Sequence, residues 1–314
     1  MTASRSQSLA GVDPVSGSPV YPIGSRVDER GHLEIAGCDA VELAREFGTP
    51  AFVYAEDDIR QRARAYLRAF RSRTDSFEVL YASKAAPITA ICELCAQEGL
   101  SVDVASGGEL FVAIRAGVEP GRLHMHGNNK TEAELRLAIE AGVGHVIVDS
   151  FDEIGRLDAL LERPQDVLIR VTPGIEPSTH SYVQTGQLDS KFGFGLADRL
   201  AAGAIEAVEA APNLNLVGLH AHIGSQIFEL EPYTRAIEAL AELASDLELE
   251  LLNVGGGLGI AYTAQDEPPS IDASVDVKVR GVERLFDPIP RILVEPGRSL
   301  VGNAGVTLYE IGTV

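Results

Sequence analysis

The sequence predicts an α/β protein: a (β/α)8, TIM-like barrel with an incomplete second, β-rich domain built from the N-terminal segment and the chain's last strand. Three observations predict it. Eight short apolar runs recur, namely EVLYAS, LSVDVAS, RLHMHG, HVIVDS, DVLIRVTP, LVGLHAHIG, LLNVGGG and RILVEPG, and eight is the strand number of a closed parallel barrel. The stretches between them carry helix punctuation. Thr131 with Glu134 and Ser150 with Glu153 stand at capping-box spacing, and Ala116-Gly117-Val118 and Ala141-Gly142-Val143 close two units alike. Finally, the runs end on polar residues or glycine rather than fading into apolar loops.

In chain order, residues 1–20 are rich in Ser, Gly and Pro without periodicity and read as a disordered leader. Residues 21–49 form the N-terminal part of the β-domain, with HLEIAG as a strand and DAVELAREFG as a short helix closed by Gly48. The barrel domain takes residues 50–295. It opens with the strand AFVYAE and a helix whose one face carries Ile59, Ala63, Leu67 and Phe70. Two units break its rhythm. The loop TPGIEPSTHSYVQTGQLDSKFGFG after the fifth strand is long enough to be functional. After the seventh, GIAYTAQDEPPSIDASVDVKVRGVERLFDP has poor helical periodicity. Residues 296–314 begin the second domain, where AGVTLYEIGTV alternates like a strand and has no obvious partner.

Composition narrows the function. A chain of 314 residues with 45% hydrophobic content can bury a large core, and its net charge of −20 argues against a nucleic-acid partner, which requires a basic face. No run is long enough to span a bilayer, and the N-terminus lacks a basic start and an apolar signal core, so the expected location is cytoplasmic. Cys38, Cys92 and Cys95 make no disulfide framework. The C-x-x-C pair Cys92/Cys95 lies in PITAICELCAQEG, where helical spacing turns both thiols to one side, as core packing demands.

Barrel active sites lie at the C-terminal ends of the strands. Those ends offer Lys84, Ser106, His126 with Asn128, Asp149, Thr172, His220 with His222, Gly255 to Gly257, and Glu295 with Arg298. Lys84, one of only four lysines, ends an apolar strand, where an ammonium is poorly solvated and becomes nucleophilic; the alternative is a lysine reaching out to solvent. Gly255, Gly256 and Gly257 with Glu295-Pro-Gly-Arg298 occupy the two loops where barrels commonly bind phosphate, although a glycine triplet is also an ordinary turn. The pairs His124/His126 and His220/His222 invite a metal-site reading, that of a metal-dependent barrel hydrolase. Their positions on the third and sixth strands, apart around the ring, argue against it, and no metal is expected.

YASKA around Lys84, HIGSQ at 222–226, GGGLG at 255–259 and EPGRS at 295–299 resemble the alanine-racemase-like (fold-type III) barrel family of pyridoxal-phosphate (PLP) decarboxylases. HGNNK at 126–130 and the stretch with His180, Thr185-Gly186 and SKFGFG are similar to the diaminopimelate decarboxylase branch more than to ornithine or arginine decarboxylases. The resemblance runs from about residue 21 to the end. It implies that Lys84 carries PLP as a Schiff base, that His222 stacks on the ring, and that Ser225, Gly255, Gly256, Gly257, Gly297 and Arg298 hold the phosphate. It further implies that Glu295 pairs with the pyridine nitrogen and that Arg298 also reaches the substrate carboxylate. The reaction so implied is loss of CO2 from meso-diaminopimelate to give L-lysine, in a homodimer. Family members also carry a Cys-Glu-Ser-Gly-Asp segment and a later Tyr in the C-terminal β-domain. Neither is in this sequence, and none of its three cysteines lies in such a motif, so the resemblance implies a C-terminally truncated enzyme with impaired turnover. The competing reading is a non-catalytic PLP-binding barrel.

Overall fold

A computed structural model of the chain describes residues 13–175 and 192–313. Eight parallel strands close into a ring: β1 (Phe77–Ala82), β2 (Ser101–Val104), β3 (Leu123–Met125), β4 (His145–Val148), β5 (Gln165–Thr172), β6 (Leu214–Ala221), β7 (Leu251–Asn253) and β8 (Arg291–Val294). They are the eight runs expected. Each pairs with its successor, and β8 returns to β1 with Ile292 opposite Phe77. The short strand Phe194–Gly195 adds to the C-terminal end of β5.

Parallel neighbours cannot be joined by a tight turn, so a helix follows every strand. These are α1 (Thr89–Gln97), α2 (Gly107–Arg115), α3 (Glu132–Ala141), α4 (Phe151–Leu160), α5 (Leu200–Glu209), α6 (Glu231–Leu243), α7 (Ile271–Leu285) and the short α8 (Arg298–Val301). Thr131 and Glu134 close a full capping box at α3. At α4 only half of one forms: Ser150 accepts from the Glu153 N–H, while the Glu153 carboxylate turns inward to Lys130. Cys92 and Cys95 are both fully buried on α1, as core packing required. α7 is the element that periodicity misses. Its buried face includes Ser274, Lys278 and Gly281 beside Val275, Val279 and Val282, and three non-apolar residues there blur the 3.6-residue signal.

Side-chain alternation decides what the ring holds. Leu80, Ile147, Leu168, Val217, Leu251 and Leu293 form one buried cluster contributed by six strands. Two residues further along, on the same strand face, stand Ala82, Asp149, Arg170, Asn253 and Glu295. An apolar layer therefore plugs the barrel, and a polar layer lies above it toward the C-terminal ends. Toward the N-terminal ends Glu78, His124 and His145 make a second polar layer, with the two imidazoles 4.5 Å apart.

By contact density the chain divides into two units, residues 59–260 with 267–302, and a smaller one of residues 1–58, 261–266 and 303–314. In the smaller unit, Arg26–Val27, Leu33–Ile35 and Cys38–Asp39 form an antiparallel sheet, and Asp39 caps the helix Ala40–Phe47. The C-terminal strand, expected to lack partners, has one. Gly305–Leu308 pairs antiparallel with Ala51–Tyr54, a strand that the sequence reading gave to the barrel domain. Val53, Val306 and Leu308 then pack on Ile35, Ala40 and Ala55. Within the stretch read as a leader, Asp13 accepts from the Val15 and Val27 N–H groups and Val15 is buried.

Candidate active site

The polar layer gathers around Glu295. Its carboxylate lies 2.9 Å from His126 Nε2 and 3.3 Å from His220 Nε2, and it accepts from Asn253 Nδ2 at 2.7 Å. Burial alone would raise the Glu295 pKa, but His126 and His220 outweigh it and hold the carboxyl well below its ordinary range. The barrel thus presents an ionised acid at its centre. The imidazoles of His126 and His220 meet edge to face at 5.0 Å, which corrects the expectation that the third and sixth strands keep them apart. An eight-strand barrel is narrow enough for side chains of distant strands to share one layer. With Glu295 they offer ligand atoms within 4.8 Å of one another, so this trio is a metal-ligating candidate of the chain as well as an acid clamp.

Lys84 sits just past β1 in a 3-10 turn, Ser83–Ala85, and its side chain is exposed rather than poorly solvated as expected. The strand ends at Ala82, so the turn lifts the amine out of the apolar layer. Neighbours brace that turn. Ser83 donates to Glu109 at 2.9 Å, and the Ala82 N–H donates to the Pro296 carbonyl at 3.1 Å. Gly297 is needed for this approach, since a Cβ there would stand 3.0 Å from the Ala82 Cβ. The Lys84 charge is felt across the mouth at Asp103 and His222. Asp103 is buried, with Oδ1 lacking a hydrogen-bond partner. Desolvation pushes its pKa up to about 6; His126 and Lys84 pull it down and Glu295 adds to the rise.

At His222, burial and then the Lys84 charge push the pKa well below the ordinary imidazole range. Its Nδ1 accepts the Gly256 N–H at 3.3 Å, which assigns the neutral tautomer carrying its proton on Nε2. The glycine triplet is required by backbone crowding: a Cβ on Gly255, Gly256 or Gly257 would lie 2.5 Å, 2.1 Å and 2.4 Å from the carbonyl oxygens of Ala221, Glu295 and Gly224. The triplet does not offer three open amides, however. That of Gly255 donates to Asn253 Oδ1 at 3.0 Å, and that of Gly256 is spent on His222. Arg298 Nε donates to Ser225 Oγ at 3.3 Å, tying the loop after β6 to the start of α8.

Other strand-end residues are structural. Ser106 caps α2, Thr172 donates to the Phe192 carbonyl, and His124 lies in the opposite polar layer. Lys130 of HGNNK is buried and donates to Gly127 O, Ile147 O and Glu153 within 2.6–2.8 Å, pinning β4 to α4. His180, Thr185, Gly186 and Lys191 lie outside the described residues. Asp103, Asn253, Arg170 and Glu109 were not singled out from the sequence. The first three sit inside apolar runs, and their one signal is spacing: each stands two or four residues from another inward-facing position. Arg170 lies 3.5 Å from Asp149 and 4.5 Å above the Phe192 ring.

Comparison with known proteins is consistent with this geometry. The family described as pyridoxal-dependent decarboxylase, pyridoxal binding domain, matches residues 56–302. The diaminopimelate decarboxylase of Halalkalibacterium halodurans is 45% identical over 302 residues, which is 92% of this chain and 69% of the relative. The solved diaminopimelate decarboxylase of M. jannaschii in complex with L-lysine superposes with a TM-score of 0.83 at 34% identity, over 90% of this chain and 68% of that one. SrLDC in complex with PLP gives 0.74 at 25% identity, over 89% and 68% of the two chains.

Proposed function

The chain belongs to the pyridoxal-dependent decarboxylase family, and from that premise we propose that it decarboxylates meso-diaminopimelate to L-lysine with PLP as cofactor. The single observation that carries the reading is the arrangement around Glu295: an ionised acid clamped by His126, His220 and Asn253, opposite the braced Lys84 turn and beside a glycine turn. The residues fit the group. A pyridine nitrogen needs a buried anion, a phosphate needs backbone approached closely, and a carbonyl needs a reachable amine; Glu295, Gly257 with Ser225 and Gly297, and Lys84 supply these in turn.

The cofactor, when bound, supplies an electron sink for the electron pair that departing CO2 leaves behind. The protein's own residues do the rest. Lys84 provides the covalent anchor, and Glu295 holds a proton at the pyridine nitrogen. Neutral His222 presents an uncharged ring face. Gly255 and Gly256 shape the turn from which the Gly257 N–H faces the phosphate. Arg298, already tied to Ser225, offers its planar fork to phosphate or substrate carboxylate. Asp103, with a pKa pushed up to about 6 and within the field of Lys84, can hold or release a proton near that amine at neutral pH.

Lys84→Ala is expected to abolish both the visible absorbance of bound PLP and CO2 release from meso-diaminopimelate. An unchanged spectrum in the variant removes the assignment of Lys84. The proposal extends to the cytoplasm and to a homodimer. Among the described residues no helix is long and apolar enough to cross a membrane. Sedimentation equilibrium returning only the monomer mass at micromolar concentration would dispose of the dimer.

A further inference from the structure

Beneath the glycine turn lies a buried phenol that the chemistry above does not use. Tyr233, on α6, is 1% exposed, and its hydroxyl donates to the Gly256 carbonyl at 2.9 Å. The carbonyl of Gly256 and the N–H of Gly257 belong to one planar trans peptide, so they point in opposite directions. α6 packs outside the ring of strands. A carbonyl drawn outward to Tyr233 therefore turns the Gly257 N–H inward, toward the barrel mouth. Two neighbouring contacts hold the turn in this state. Ile227 N–H donates to the Gly257 carbonyl at 2.9 Å, and Gly257 keeps a φ of +100°, which other residues rarely adopt. The phenol is itself held: Lys278 Nζ sits 4.1 Å from its ring centroid, and the ring packs among Ile175, Ile223 and Ile227.

Because the Gly255 and Gly256 amides are engaged within the turn, the Gly257 amide is the one the triplet directs at an anion. We propose that Tyr233 is a positioning residue for the phosphate seat: by gripping the Gly256 carbonyl it aims and polarises the Gly257 N–H, and Lys278 keeps the phenol in place. Accepting a hydrogen bond at the carbonyl also strengthens the donor at the other end of the same peptide. This rests on the reading that the cofactor's phosphate lies at the glycine turn.

The test is Tyr233→Phe, which keeps the ring and removes only the hydroxyl. At saturating PLP the visible band should match the wild type, since Lys84 is untouched. Half-saturation should rise roughly five- to tenfold, as loss of one hydrogen bond implies, and the 31P resonance of bound PLP should move. A dissociation constant within twofold of wild type together with an unmoved 31P resonance overturns the proposal. Should the variant fold poorly, the wild-type protein labelled with 15N-glycine decides: PLP must shift the Gly257 amide, and an unmoved amide overturns the proposal equally. Wild-type protein showing no visible band on adding PLP would instead bring down the proposed function, so the two failures are separable.

Discussion

Lys130 and Lys278 are both buried, and the protein treats them in opposite ways. The ammonium of Lys130 is answered by Glu153 at 2.6 Å and two carbonyls. That of Lys278, 2% exposed, finds only Ser274 Oγ at 3.3 Å and the Tyr233 ring. Burial pushes the Lys278 pKa down to about 7, and no carboxylate opposes the shift. An unfolded lysine titrates near about 10.4. Between about 7 and about 10 the unfolded chain therefore binds a proton that the folded chain has shed, and stability rises with pH across that window. Below 7 both states are charged and the full desolvation cost stands. Lys278→Met, similar in length and uncharged, should accordingly stabilise the fold by on the order of a few kcal/mol near pH 7 and below, fading toward pH 10. Urea unfolding at pH 6.5 and 9.5 measures it. A variant no more stable than wild type at pH 6.5 would mean that the ring and Ser274 already satisfy the ammonium.

At the scale of elements, what could be read from the sequence follows from what is local. The eight strands were legible because each is an unbroken apolar run between polar ends, and Lys84, His222 and Glu295 because they stand where those runs stop. α7 was not, because Lys278 and Gly281 occupy positions where periodicity demands apolar side chains; Gly281 is there to let Ile237 of α6 approach, a Cβ meeting its Cδ1 at 3.0 Å. Asp103 and Asn253 were hidden for a related reason. Each sits within a buried strand, and only the register across the ring reveals that they face Lys84 and Glu295. The meeting of His126 with His220 and the pairing of Gly305–Leu308 with Ala51–Tyr54 depend on closure of the ring and on a partner far upstream. No pattern confined to one segment encodes either.

For the whole molecule the governing quantity is charge. With 46 acidic and 26 basic residues, every basic group could be paired and 20 carboxylates would still be left over. Many pairs do form on the surface, among them Arg136 with Glu132, Arg280 with Asp276 and Arg284 with Glu238. Exposed pairs of this kind contribute at most about 1 kcal/mol each, and salt weakens them. Salt also screens the repulsion among the surplus carboxylates, which acts over longer range and opposes the compact state. Raising ionic strength from about 0.01 M to about 1 M shortens the screening length from about 30 Å to about 3 Å, removing the long-range repulsion while contacts of 3 Å survive in part. The repulsive contribution should therefore be the larger loss, and the melting temperature at pH 7 should climb by several degrees over that range in sodium chloride. Chloride is the right choice because sulfate would stabilise by exclusion from the surface whatever the charge. A melting temperature that falls with added chloride would show that the paired arginines, and not the unpaired acids, dominate the electrostatics of this fold.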